Sequence, residues 1–156
     1  MSFHRSKRIW AALWLCAGLS AQSYSISTLA GGGPPPTPAQ GTTAALGQTW
    51  GVATDTLGNV YFTTLNCVFK LDTSGVMTRL AGTSFVGFSG DGGPAISAQL
   101  STPIGLAVDQ AGNVFVADAG NQRIRKISTN GMISSVAGGG TITFPASDGG
   151  QATKAQ

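Results

Sequence analysis

Six aspartates and one cysteine carry nearly all the acid–base or metal chemistry open to this chain beyond residue 21, because its single histidine is His4 and it contains no glutamate. Asp55 and Asp109 each follow an apolar run and stand just ahead of a Gly-Asn pair, Gly58-Asn59 and Gly112-Asn113. Asp91 and Asp148 each sit among glycines, while Asp118 precedes Asn121 and Arg123 in a short polar stretch. Carboxylates so placed could ligate a metal, transfer a proton or cap a turn. Calcium needs about six to eight oxygen ligands, usually including several carboxylates, whereas the glycine-rich loops at 89–95 and 147–152 hold one aspartate each. The aspartates are therefore expected to bond the backbone of tight turns. Asp55 and Asp109 are the best metal candidates among them and are assigned the same capping role. Cys67 has no histidine to act as its base and reads as a small buried hydrophobe. Its one fellow cysteine, Cys16, falls in the first 21 residues, which leaves no disulfide partner. The glycine runs at 31–33 and 138–140 lack the strand-to-helix context and lysine of a phosphate loop. No catalytic residue, metal site or cofactor is expected.

What must position these residues is a repeated set of strands. Residues 104–108 alternate large apolar side chains with Gly105 and Ala107, which suits an inner strand buried on both faces. A turn at 110–113 follows, with Gly112 available for positive φ. Residues 114–117, rich in β-branched and aromatic side chains, read as a second strand. Residues 123–128 and 132–137 make a third and a fourth around the turn Thr129-Asn130-Gly131. The same order recurs upstream: Gly51, Ala53, Asp55, Gly58, Asn59 and Val60 match Gly105, Ala107, Asp109, Gly112, Asn113 and Val114 at an offset of 54. A two-residue deletion near Leu65 moves the offset to 56, where Lys70, Gly75 and Gly82 match Lys126, Gly131 and Gly138. The upstream strands are accordingly placed at 60–63, 67–72 and 76–81. A period of about 55 residues with four antiparallel strands per repeat predicts an all-β protein made of β-propeller blades. Helical periodicity is absent beyond the N-terminal segment.

The N-terminal residues follow a different logic. His4, Arg5, Lys7 and Arg8 form a basic stretch, residues 9–19 a short apolar run, and Ser20-Ala21 a small-residue end, as in a secretory signal peptide. An apolar run of 11 residues is well short of the roughly 20 needed to span a bilayer. Without this segment the chain holds six lysines and arginines against six aspartates. The basic balance thus belongs to the targeting segment, and the neutral remainder lacks the basic patch that nucleic-acid binding requires. The cluster Arg123, Arg125 and Lys126 reads as a solvated strand face.

Residues 103–127, with Pro103, Gly105, Asp109, Gly112-Asn113, Asp118, Asn121 and Arg123 at their spacing, resemble the NHL repeat. Val136-Ala137-Gly138 and the Gly-Asp-Gly-Gly-Pro-Ala loop at 90–95 resemble its longer teneurin-type form, found in many secreted bacterial proteins. The resemblance implies an Asp118–Arg123 pair at the polar corner, or capping of the Asn121 corner by Asp118, worth about 1 kcal/mol if partly exposed. In the upstream repeat Thr64 and Cys67 replace that pair. The expected organisation is a signal peptide at 1–21, an orphan fourth strand at 25–31 with a Pro-rich spacer inside 22–49, a first blade at 50–99, and a second blade with the start of the next connection at 100–156. NHL propellers usually close with five or six blades, so the chain is expected to be a truncated piece of a longer protein, with self-association through exposed edges as the other route to closure. The resemblance implies a secreted, non-catalytic binding or scaffold platform for protein or glycan partners, without nucleic acid or a membrane span. Its alternative is a fragment of a propeller enzyme of lyase or lactonase type, with the metal ligands in missing blades.

Overall fold

The computed structural model describes residues 37–140 and 150–154. The expected signal segment, the strand at 25–31 and Asp148 lie outside the described residues. The rest forms two antiparallel sheets. The first comprises β1 (Ala39–Gln40), β2 (Thr49–Thr54), β3 (Val60–Thr64), β4 (Cys67–Leu71) and β5 (Val76–Ala81), in the order β1-β5-β4-β3-β2. The second comprises β6 (Pro103–Val108), β7 (Val114–Asp118), β8 (Arg123–Ile127) and β9 (Ile133–Gly138), in chain order. The helical elements among the described residues are short 3₁₀ turns. Each sheet contains a four-stranded meander, β2–β5 in the first and β6–β9 in the second, the unit of a β-propeller blade, and the fold is all-β.

Turn chemistry explains why each meander forms. After β2 and β6 the chain reverses through Asp55–Asn59 and Asp109–Asn113 pairings, closed by Gly58 N–H to Asp55 O at 3.2 Å and Gly112 N–H to Asp109 O at 3.0 Å. Gly58 and Gly112 sit at φ of 85° and 84°, a left-handed conformation that costs a residue with a Cβ about 1 kcal/mol or more. Between them, β-branched and aromatic side chains fill the strands.

The main core lies between the sheets. Tyr61 and Val68 of the first sheet meet Leu100, Val114, Val116 and Ile133, all at most 4% exposed. Burying side chains of this size stabilises by roughly 1.5–3 kcal/mol each. A second cluster on the far face of the first sheet packs Phe62, Cys67, Phe69 and Met77, with the Phe62 and Phe69 rings stacked at 5.6 Å. The connection between the sheets is tied to both of them: Gly82 N–H donates to Ala95 O at 3.1 Å, and Ile133 N–H donates to Gly93 O at 3.0 Å.

Two features depart from the sequence expectation. Residues 39–40 add a fifth strand along the otherwise unpaired edge of β5, with Ala39 opposite Met77. The inner strands are not buried on both faces, since Trp50, Val52 and Ile104 are 54%, 65% and 46% exposed. The glycines account for this. A Cβ on Gly51 would lie 2.8 Å from Ile104 O, so β2 and β6 touch through their backbones at Gly51 and their large side chains turn outward.

Candidate functional site

The polar corner of the second sheet is built by strand alternation. Asp118 ends β7, and Arg123 and Arg125, two residues apart on β8, project to the same side of the sheet. The Asp118 carboxylate is fully buried. Its Oδ1 accepts the Ser101 N–H at 2.7 Å, and its Oδ2 accepts Asn121 Nδ2 at 2.7 Å and Arg125 Nη1 at 3.4 Å. Asn121 Nδ2 also donates to Gly87 O at 2.8 Å.

The cation of this corner is Arg125, not the expected Arg123. Arg125 is completely buried beneath the connection between the sheets, where it pairs with Asp91 at 2.8 Å and donates to Ser89 O at 3.0 Å. Arg123 lies one pleat nearer the rim. Its guanidinium stacks 4.0 Å over the Phe88 ring and donates to Gly139 O at 3.2 Å. Asp91 likewise departs from its expected turn-capping role, because its carboxylate reaches across to Arg125. The result is a clamp: one guanidinium joined to two carboxylates and to the Ser89 and Gln99 carbonyls fixes the 88–99 connection onto β8.

The remaining described aspartates cap turns. Asp109 accepts the Asn113 N–H at 2.8 Å and Asn113 Nδ2 at 2.7 Å. Asp55 accepts the N–H groups of Leu57 and Asn59, Asn59 Nδ2 and the Tyr61 hydroxyl. Asp72 accepts the N–H groups of Ser74 and Val76 and the Ser74 hydroxyl. The Asn59 amide, with the other donors, holds Asp55 down to about 2. Burial, reinforced by the Asp55 carboxylate, pushes Tyr61 up to about 12. Asp109 and Asp72 are lowered chiefly by the Asn113 amide and the Ser74 hydroxyl. Among the described residues no three of His, Cys, Asp or Glu converge on one point. Cys67 is buried, with its Sγ 3.4 Å from Ser84 Oγ.

The first sheet lacks this corner. Thr64 stands at the position of Asp118 and Phe69 at that of Arg125, and the four residues between β7 and β8 are reduced to Leu65-Asn66. Both adopt left-handed conformations, at φ of 51° and 56°, making the two-residue hairpin turn that matches strand twist. Asn66 then bridges the sheets: Oδ1 accepts the Thr102 N–H at 3.0 Å and Nδ2 donates to Ser84 O at 3.3 Å. Beside it opens a cleft of about 240 Å³ lined by Gln48, Trp50, Thr64, Leu65, Asn66, Thr102 and Pro103. The reading of the residues missed Arg125, Trp50 and Thr64. The one available signal was the loss of the second repeat's polar corner in the first.

Residues 86–148 match the family model of the teneurin NHL domain, and the repeat is of the NHL type. Teneurin-1 of Homo sapiens is 56% identical over 43 residues, covering 28% of this chain and 2% of that protein. Teneurin-3 of Mus musculus is 41% identical over 54 residues, covering 35% of this chain and 2% of that protein. Protein SUPPRESSOR OF QUENCHING 1, chloroplastic, of Arabidopsis thaliana is 44% identical over 77 residues, covering 47% of this chain and 7% of its own length. The chain thus spans less than a tenth of each of these relatives. Among solved structures, a streptogramin B lyase is 22% identical with a TM-score of 0.41, covering 65% of this chain and 28% of that one. Virginiamycin B lyase from Staphylococcus aureus is 19% identical with a TM-score of 0.41, covering 64% and 28% respectively.

Proposed function

We propose that this chain of NHL-type repeats belongs to an exported, non-catalytic binding module, in which rigid propeller blades present inner strands and loops to protein or glycan partners. One observation carries the reading: each of the five described aspartates is engaged, three with the donors of their own turns and two with Arg125. A general base or metal ligand needs a carboxylate aimed at open space within reach of substrate. These are spent on holding turns and a connection. What is left exposed on the inner strands is apolar or uncharged, with Trp50, Val52 and Ile104 prominent, and such surface serves recognition. The signal-like first 21 residues support action outside the cytoplasm. No helix among the described residues is long and apolar enough to cross a membrane.

Elemental analysis of the purified full chain, together with surface plasmon resonance against purified extracellular proteins and neutral oligosaccharides, tests the proposal. Saturable, salt-tolerant binding with no metal retained is the expected result. A stoichiometric ion that survives dialysis would sink it, and affinity that collapses with added salt would point instead to nucleic acid.

A further inference from the structure

We infer that the cleft beside Trp50 is a subsite for a neutral sugar ring. The inference rests on the binding-module reading and names the chemistry of its ligand. Comparison of the repeats shows where the cleft comes from. In the second sheet the corner after β7 is filled by Asp118, Asn121 and the Arg125 guanidinium. In the first, the buried Phe69 takes the place of the guanidinium and the two-residue turn Leu65-Asn66 replaces the longer corner, and the cleft lies beside that turn.

Three properties of the cleft define what it takes. Its volume of about 240 Å³ falls just below the roughly 300–1,000 Å³ of sites that enclose a whole small molecule, so it fits one ring of a larger ligand. Every lining residue is uncharged, so an ionic group entering it would be desolvated without a counter-charge. The polar groups are amides and a hydroxyl, from Gln48, Asn66 and Thr102, and these both donate and accept.

One side chain points to a ligand rather than to a packing defect. Trp50 is 54% exposed where the second repeat has Ile104. Its indole offers a flat face with a negative quadrupole, onto which the polarised C–H face of a pyranose packs. The cleft is also rigid, since Asn66 is held at both ends of its amide.

The test uses the full chain and two neutral probes, the linear hexamers of glucose and of N-acetylglucosamine, with an oligouronate of equal length as the charged control. Calorimetry gives the affinities, and indole N–H signals in a ¹⁵N spectrum, assigned by loss in Trp50→Phe, show contact. A neutral hexamer is expected to bind and to shift the Trp50 signal. Trp50→Ala should lower affinity about tenfold and Trp50→Phe only a few-fold, the scale of one aromatic stacking contact. The inference fails if neither hexamer binds, if binding survives Trp50→Ala unchanged, or if the oligouronate binds as well. Protein binding that persists in Trp50→Ala would leave the binding-module reading standing while the sugar subsite falls.

Discussion

Asp118 and Arg125 meet at 3.4 Å with neither side chain exposed to solvent, and the same two positions in the first sheet are occupied by Thr64 and Phe69. One sheet closes its corner with a buried ion pair, and the other closes it with a stacked aromatic on its far face and leaves a cleft.

Removing one partner of the buried pair should be costly. Asp118→Ala strands Arg125 with Asp91 alone and also orphans the Ser101 N–H, and its expected cost is about 3 kcal/mol. That exceeds the cost of an exposed pair because here the charge stays buried. Urea denaturation of the full chain checks it, and a loss under about 1 kcal/mol would contradict the clamp.

The repeat itself provides an apolar solution at this corner. Asp118→Thr combined with Arg125→Phe is expected to cost less than the sum of the two single changes, with a coupling of roughly 1–3 kcal/mol in a double-mutant cycle. Additive effects would mean that the two side chains act independently.

Arg123 and Arg125 should behave very differently despite their adjacency on one face of β8. Arg123→Ala loses a rim contact over Phe88 and is expected to cost about 0.5–1 kcal/mol. Arg125→Ala leaves Asp118 buried without a cation and should cost several times as much. Equal effects in thermal melts would reverse the assignment of the clamp.

Gly82 closes β5 at φ of 94°, and a Cβ there would meet the Asn66 carbonyl and lie 2.7 Å from Cys67 Cα. Gly82→Ala should therefore destabilise by more than about 1 kcal/mol. Gly131→Ala, at φ of 80° with open space around it, should cost less. A reversed order in chemical denaturation would show that backbone conformation outweighs the close approach.

The turn carboxylates give stability a definite acid limit. Asp55 is lowered from 3.8 to about 2 in the folded chain, so its contribution is complete above pH 3.8 and is lost as pH falls toward 2. Asp72 and Asp109 shift in the same direction. Tyr61, raised from 10.0 to about 12, sets the alkaline side: its contribution is present below pH 10 and is lost as pH rises toward 12. The melting temperature should stay flat between these arms, and Asp55→Asn should flatten the acid arm. An acid arm unchanged by that substitution would show that the Asp55 cap contributes nothing to it.

The repeat, the four strands of each sheet and the propeller-type architecture could be read from the chain alone, because they rest on local rules. Period-two alternation, Asp-to-Gly-Asn turns and an offset of 54 to 56 residues are visible without any long-range contact. Strand ends differ from those readings by about one residue, which is fraying rather than disagreement. Tertiary structure alone decided the partners. That Asp118 takes Arg125, that Asp91 crosses to the same guanidinium, and that Trp50 turns outward all depend on how the 88–99 connection and the two inner strands pack. Charge type and spacing leave several pairings open at a strand corner, and burial selects among them because a buried charge must find a counter-charge. The cleft was hidden for the same reason: a deletion of two residues is visible in the sequence, but the space it opens exists only where two sheets meet.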